Sequence, residues 1–309
     1  MTVVERIIPW DPAARRRFVT SDGTALHVDD TGPAEGSDPV TLVLSHGWTL
    51  DHTSWDRVVT ALRGQVRIVR YDHRGHGGSG PAPQGSATVA RAADDLAELI
   101  TARVPGGPVV LVGHSMGGMT AMALAERHPG LFARRIAAVG LVATSSGGLS
   151  GGTLGLPKWL APGVAAAERR INRRLAGLDR PTLGARPGAA PGLRWLLFGT
   201  RPRRADVLAT AAQIGGCHPA SMVGFRQSLN EHERREALAA LSDLPVVVLA
   251  GGADRLTPLP HARTIADALP TARLVIYPDA GHMLPYERDS DVAAHITELV
   301  DVVRSSSRT

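Results

Sequence analysis

The chain has 309 residues, of which 43% are hydrophobic, and a net charge of +5. This length can bury one large core, with or without an inserted segment. No apolar run approaches the ~18 residues that span a bilayer, so a transmembrane protein is excluded. The N-terminus has no cationic region before an apolar core, so we expect no secretory signal.

Composition also bears on compartment and partners. The single cysteine, Cys217, cannot form an intrachain disulfide, so we expect a reducing, cytoplasmic location and a small buried residue at this position. Basic chains can bind nucleic acid, but this chain has no nucleic-acid motif and only 4% aromatic residues. We therefore expect no nucleic acid among its partners.

Strand and helix patterns alternate in the first half of the chain. A turn of composition Ser-Asp-Gly-Thr predicts a hairpin near the start, and continuous apolar runs then alternate with segments of helical spacing. The hairpin strands are 17–20 and 25–29, the apolar runs are 41–45, 66–71, 108–113 and 136–142, and the helical segments are 55–63, 87–103 and 116–128, the last closed by Pro129-Gly130. This alternation predicts an α/β fold with a mostly parallel sheet flanked by helices.

The alternation stops between Ser145 and Leu241, where the sequence is helical, arginine-rich and interrupted by glycine and proline. It then resumes with a strand, a helix, a strand and a last helix, at 245–250, 260–269, 272–277 and 290–304. The middle segment is therefore predicted to be an insertion between two strands of one sheet. We expect a core at 1–148 and 242–309, with a helical cap at 149–241.

A candidate nucleophile lies between an apolar run and a helical segment. The sequence Gly113-His114-Ser115-Met116-Gly117 fits the G-x-S-x-G pattern, which is informative only in this strand–turn–helix context. The turn would expose the serine hydroxyl, and the two glycines would avoid a clash across it. The following helix N-terminus would supply free N–H groups.

With these features the chain resembles the α/β-hydrolase-fold enzymes that carry an inserted cap, similar to bacterial esterases, lipases and cofactor-free haloperoxidase-like hydrolases. The resemblance extends to Ser45-His46-Gly47-Trp48, which follows the first apolar run. It implies an oxyanion hole formed by the main-chain N–H groups of Trp48 and Met116. A donor of this kind is worth about 3 kcal/mol of activation free energy.

Three further motifs fit the same resemblance. The loop from Tyr71 to Ser79 resembles the family's D-x-R-G-x-G-x-S segment, in which Asp72 and Arg74 are expected to be structural. The resemblance places the triad acid at Asp254, after the strand at 245–250, and Asp243 and Asp267 compete only by residue type. It places the base at His282, after the last strand. The chain order serine, aspartate, histidine is that of the α/β hydrolases.

These residues imply cleavage of a carboxylic ester or a related acyl bond through an acyl-enzyme, with no cofactor and no metal. Hydrolysis of a C–C bond or a lactone, or biosynthetic acyl transfer, would use the same triad and stays open. A binding protein that kept the fold is a further alternative. The pair His73-x-x-His76 alone is a poor metal motif.

The cap is expected to select the substrate. From Ser150 to Ala240 it contains 14 Arg/Lys and 6 Asp/Glu residues, a charge of about +8. A solvated basic face is the first interpretation, and attraction of anionic substrates or membrane surfaces is the weaker one. A helix at 164–175 is predicted to turn Val164, Ile171 and Leu175 inward. Apolar stretches at 193–198 and 222–225 favour a small-molecule ester with an apolar part, whereas oligomeric state is left open.

Overall fold

Eight strands form one sheet in the part of the chain that the computed structural model describes, namely residues 16–32, 40–62, 64–149, 161–176, 178, 182–184 and 187–306. The strands are β1 Arg17–Val19, β2 Ala25–Asp30, β3 Thr41–Ser45, β4 Arg67–Tyr71, β5 Val109–His114, β6 Ile136–Val142, β7 Val246–Gly251 and β8 Arg273–Tyr277. Their spatial order is β1-β2-β4-β3-β5-β6-β7-β8. Only β1 with β2 and β2 with β4 are antiparallel. The predicted mostly parallel sheet is confirmed.

Helices cover both faces of this sheet. Every residue of β3, β5 and β7 is buried, as expected for apolar strands enclosed on both sides. The helices of the core are α1 Asp56–Leu62, α2 Val89–Arg103, α3 Met116–Arg127, α4 Pro129–Arg135, α9 Leu259–Ala268, α10 Leu284–Glu287 and α11 Asp289–Ser306, and short 3₁₀ helices lie at His52–Trp55, Pro187–Ala189 and Glu236–Leu241. The predicted core helices are all present, with ends shifted by one or two residues.

Two short helices of the core, α4 and α10, were not predicted. The pair Pro129-Gly130 was expected to close the helix before it, but Pro129 is the first residue of α4. Proline is favoured at this position because its missing N–H would have no partner in the first turn of a helix. The same residue can therefore end one helix and begin the next.

In the described part of the stretch between β6 and β7 there are four α-helices: α5 Ala161–Ala176, α6 Ala190–Leu197, α7 Arg204–Gly216 and α8 Pro219–Asn230. Of the residues predicted to turn inward on α5, Leu175 is buried, but Ile171 is 55% exposed. That part of the prediction is wrong, because the described residues leave Ile171 largely uncovered and helical spacing does not reveal how much of a face is covered. The side chain of Val164 lies outside the described residues.

The inserted helices contact the core beside two loops. A small apolar cluster unites Leu197 and Phe198, at the end of α6, with Leu50 and Met283 of the core. Leu50 follows the segment His46–Trp48, and Met283 follows His282, so this cluster lies next to two of the predicted site residues. Among the described helices, none combines the length and apolar character needed to cross a bilayer. The N-terminal segment that was examined for a secretory signal lies outside the described residues.

Candidate active site

Ser115 forms a strained turn between β5 and α3. Its φ of 52° and ψ of −117° place a non-glycine residue in a sparsely populated region of backbone space. The turn is tight, because a Cβ on Gly113 would lie 2.3 Å from the carbonyl carbon of Gly117. A Cβ on Gly117 would lie 2.2 Å from the main-chain oxygen of Ser45. The two glycines therefore permit the close packing that this turn requires.

Asp254 and His282 come together at the ends of the neighbouring strands β7 and β8. His282 Nδ1 lies 2.8 Å from Asp254 Oδ2, and the two residues are only 4% and 6% exposed. Asp254 also accepts hydrogen bonds from the main-chain N–H groups of Leu256 and Thr257 and from the Thr257 hydroxyl. Burial alone would raise the pKa of Asp254, but the charge and hydrogen bond of His282 lower it below its ordinary value. An ionised carboxylate therefore faces the Nδ1 side of the imidazole.

The nucleophile turn and the histidine loop are adjacent. His114, the residue before Ser115, donates from Nε2 to the main-chain oxygen of His282 at 2.9 Å. The rings of His114 and His282 have centroids 5.0 Å apart. Within the described residues, neither the Ser115 hydroxyl nor His282 Nε2 forms a hydrogen bond. Hydrogen bonds between catalytic groups are often long or absent without a substrate and tighten when one is bound.

The two predicted oxyanion donors belong to segments that pack together. A Cβ on Gly47 would lie 3.2 Å from the Cβ of Ser115, so the segment before Trp48 touches the nucleophile turn. The N–H groups of Trp48 and Met116 have no acceptor in the described part of the chain. The Trp48 indole donates to the main-chain oxygen of Met222 on α8 at 3.1 Å, which connects this segment to the inserted helices.

The loop after β4 is held by buried charges. Asp72 accepts hydrogen bonds from the main-chain N–H and Nδ1 of His52 and from the N–H of Gly78. Arg74 is fully buried and forms a two-pronged ion pair with Asp95, which is also buried. These contacts agree with the structural interpretation of Asp72 and Arg74.

Histidines beneath this loop also hold the segment Ser45–Trp48. His46 Nδ1 donates to the main-chain oxygen of Gly47 at 2.8 Å, and His46 Nε2 accepts from the N–H of His73 at 2.9 Å. Burial lowers the pKa of His46, of His73 and of His76, the last to about 3. All three are therefore neutral, and their hydrogen bonds place them in the framework of the site.

Within the described residues, one group has the spacing of a metal site. His27, His52 and Asp72 each offer one ligand atom, and the three atoms lie within 4.8 Å of one another. Asp72 Oδ1, however, already accepts both the main-chain N–H and the Nδ1 of His52, at 2.6 and 2.8 Å. Hydrogen bonding thus explains this contact without an ion. Cys217 is buried as expected, which raises the pKa of its thiol to about 12 and makes it a poor nucleophile.

Some residues of the site were not predicted. The Thr257 hydroxyl donates to Asp254 and lies 3.4 Å from His282 Nδ1. The sequence feature that could have indicated this contact is the position of Thr257, three residues after Asp254. Glu287 binds the N–H of Gly281, next to the histidine, and nothing in the sequence marked this contact. Both competitors of Asp254 have exposed side chains in the structure, namely Asp243 and Asp267.

A mostly parallel sheet with a serine turn after β5, an acid after β7 and a histidine after β8 defines a class of hydrolases. The family model for the alpha/beta hydrolase family matches residues 42–295, and the chain belongs to this family. The chain is 31% identical over 268 residues to a Caulobacter protein named "Putative carbamate hydrolase RutD", and the match covers 85% of this chain and 90% of that one.

Solved structures give the same fold. A thermophilic esterase from Thermogutta terrifontis has a TM-score of 0.75 and 27% identity, with 94% of this chain and 97% of that one covered. The enol-lactonase from Burkholderia xenovorans has a TM-score of 0.72 and 26% identity, with 90% and 97% covered. The protein is thus similar over most of its length to a putative carbamate hydrolase, an esterase and an enol-lactonase.

Proposed function

We propose that the protein hydrolyses carboxylic esters of small molecules through an acyl-enzyme on Ser115. In this proposal His282 is the general base and acid, Asp254 orients and stabilises the imidazolium, and the N–H groups of Trp48 and Met116 form the oxyanion hole. The observation that carries it is the buried His282–Asp254 pair, with Nδ1 2.8 Å from Oδ2, beside the strained turn of Ser115.

Each group has a defined task in the proposed reaction. His282 Nε2 takes the proton of the Ser115 hydroxyl while Oγ attacks the ester carbonyl, and the resulting oxyanion accepts hydrogen bonds from the two N–H groups. His282 then gives its proton to the leaving alcohol, and the acyl-enzyme forms. Water, deprotonated by the same nitrogen, attacks the acyl carbon and releases the acid and the free serine.

Labelling and turnover test this assignment together. Wild-type protein and Ser115→Ala would be treated with a fluorophosphonate probe and then assayed with p-nitrophenyl esters of increasing acyl length. We expect labelling and turnover of the wild type and neither for Ser115→Ala. Absence of wild-type labelling would overturn the serine nucleophile. Labelling without turnover of any ester would instead favour C–C bond cleavage, acyl transfer or a binding function.

Lactone hydrolysis is the second candidate, and it is favoured by the likeness to the enol-lactonase. The same triad would open the ring, and the product would carry both the acid and the alcohol. A panel of lactones in the same assay separates the two candidates by their kcat/KM values.

The proposal includes the remaining features expected from the sequence. We propose that residues 149–241 form a cap over a core at 1–148 and 242–309. The apolar contacts of Leu197 and Phe198 beside both site loops support a cap that shapes the substrate pocket. A cytoplasmic location and independence of cofactors are part of the same proposal.

A further inference from the structure

Glu287 is a partly buried carboxylate whose two oxygens bind main-chain N–H groups from different regions. Oε1 accepts from the N–H of Gly281 at 2.9 Å, and Oε2 accepts from the N–H of Gly199 at 2.8 Å. Gly281 directly precedes His282, whereas Gly199 follows α6 in the inserted segment. The neighbouring Arg288 forms its ion pair with Asp279. Glu287 is thus balanced mainly by N–H dipoles.

The segment after α6 is joined to the histidine loop at further points. The N–H of His282 donates to the main-chain oxygen of Leu197 at 2.8 Å, and the N–H of Thr200 donates to that of Asp279 at 3.0 Å. The backbones are so close that a Cβ on Gly199 would lie 2.0 Å from the Asp279 oxygen. The main chain that carries His282 therefore rests directly on the inserted segment.

We propose that Glu287 is a positioning residue for His282. Its carboxylate holds the segment 197–200 and the loop 279–283 together, and this joint fixes the main chain on which the imidazole is mounted. The inference rests on the proposed role of His282 as the base. A base that is misplaced by a fraction of an ångström loses proton-transfer rate, so loosening this joint should lower kcat more than it alters the apolar contacts of Leu197 and Phe198.

Protonation should weaken this joint. Burial raises the pKa of Glu287 above its ordinary value, although the N–H groups of Gly199, Gly281 and Met283 counteract this effect. A protonated carboxyl keeps one good acceptor oxygen and turns the other into a donor, which opposes an N–H group. Glutamine has the same shape and the same mismatch, so Glu287→Gln imitates the protonated state at every pH.

Other charged and titratable groups surround Glu287. They line the same small cavity as Glu287 and come from α10 and its end, from the loop after β8, from the segment between α6 and α7, and from α7 itself. These groups are Tyr286, Arg288, Asp279, Arg201, Arg203 and Asp206. Asp206 is paired with Arg57, and Asp279 is paired with Arg288, so the two nearby acids are compensated. The matched control is Glu298→Gln, which makes the same substitution at an exposed carboxylate of α11 outside this joint.

Steady-state kinetics with p-nitrophenyl acetate over a range of pH test the proposal. For Glu287→Gln we expect kcat at neutral pH to fall by about 10- to 100-fold with little change in KM. The ratio of wild-type to variant kcat should shrink as the pH falls, because protonation converts the wild type into the state that the variant imitates. Glu298→Gln should stay within about twofold of the wild type.

The outcomes separate this proposal from the proposed function. If the wild type turns over the ester but Glu287→Gln behaves like Glu298→Gln, or raises KM alone, or shows a kcat ratio independent of pH, Glu287 does not position the base. If the wild type neither reacts with the fluorophosphonate nor turns over, the proposed function has failed first. Should Glu287→Gln not fold, the wild-type profile decides: kcat must fall in two protonation steps on the acid side, and a single-proton acid limb overturns the proposal.

Discussion

Two histidine–aspartate pairs have the same nitrogen–oxygen distance but lie in different surroundings. His282 Nδ1 is 2.8 Å from Asp254, and His52 Nδ1 is 2.8 Å from Asp72. The first pair is almost fully buried beside the nucleophile turn, with side-chain exposures of 4% and 1%. In the second pair the histidine is 19% exposed, and the carboxylate also binds main-chain N–H groups of its own loop.

The backbone also distinguishes the two regions. The non-glycine residues with positive φ in the described chain are Thr49, Ser115 and Ala143. Thr49 follows Trp48, and Ala143 follows the residue whose carbonyl accepts the N–H of Ser115, so all three lie around the candidate nucleophile. A short histidine–aspartate contact therefore does not mark a catalytic site by itself. Burial, strain and free donors nearby make the difference.

The largest expected effect comes from replacing the histidine of each pair with alanine and comparing the loss of activity. His282→Ala should lower kcat/KM for p-nitrophenyl esters by on the order of 10⁴-fold, because it removes the only proton acceptor of the proposed triad. His52→Ala should lose less than the ~10²-fold that marks the loss of a general acid or base. Equal losses in the two variants would mean that the pairs have been assigned the wrong roles.

Acid should destabilise the protein through its buried histidines. Burial lowers the pKa of His76 and of His114 to about 3 and that of His232 to about 4. The unfolded chain binds protons near pH 6.5, so the unfolding free energy falls as the pH drops from there toward the lowered pKa values. Each histidine contributes about 1.4 kcal/mol per pH unit in this window.

The pair on the loop after β4 acts in the opposite direction. Burial alone would lower the pKa of His52, but the hydrogen bond and charge of Asp72 raise it. Its contribution is present below pH 6.5 and is lost as the pH rises through the raised value. Urea unfolding between about pH 7 and about pH 5 measures the balance, and a constant free energy across this range would contradict the dominance of the buried neutral histidines.

Replacement of Asp72, the aspartate of the second pair, should lower the free energy of unfolding. Asp72→Asn removes a carboxylate charge that accepts three hydrogen bonds. Burial alone would raise the pKa of Asp72, but the hydrogen bonds from His52 lower it to about 2. We expect a loss of about 2 kcal/mol in unfolding free energy with kcat of the folded fraction retained. Asp94→Asn, which affects a more exposed pair with Arg127 and His128, should cost under about 1 kcal/mol. Equal costs measured by urea unfolding would show that burial does not distinguish the two carboxylates.

The sequence was sufficient for the core because its signals are local. Continuous apolar runs predicted β3 and β6 with their observed ends, since a strand covered on both faces has a nearly continuous apolar sequence instead of an alternating one. Asp254 and His282 were named from the family resemblance. Both follow strands, parallel neighbours bring such loops to one edge of the sheet, and the two side chains are in contact in the structure. Chain order alone did not give the strand order.

Other features depend on contacts between distant parts of the chain. His52 and Asp72 are 20 residues apart, and Glu287 and Gly199 are 88 apart, so no periodicity could have paired them. The exposure of Ile171 had the same cause, because helical spacing shows which face is apolar but not what covers it. The sequence therefore predicted that the inserted segment is helical, but it did not predict how those helices pack against the rest of the protein.

The smallest expected effect concerns the strain at Ser115. Both Ser115→Gly and Ser115→Ala remove the hydroxyl, but alanine keeps a Cβ at φ 52° whereas glycine adopts this conformation freely. We expect the glycine variant to be more stable than the alanine variant by about 1 kcal/mol, after the greater flexibility of unfolded glycine is subtracted.

Thr101, an exposed residue of α2 with ordinary helical conformation, provides the control for this strain. There the order should reverse, with glycine less stable than alanine by about 1 kcal/mol. Thermal unfolding of the four variants measures both differences. If glycine were the less stable replacement at Ser115 as well, the turn would store no strain, and the backbone would no longer distinguish the region of His282 from that of His52. The case for Ser115 would then rest on the buried pair and the free donors alone.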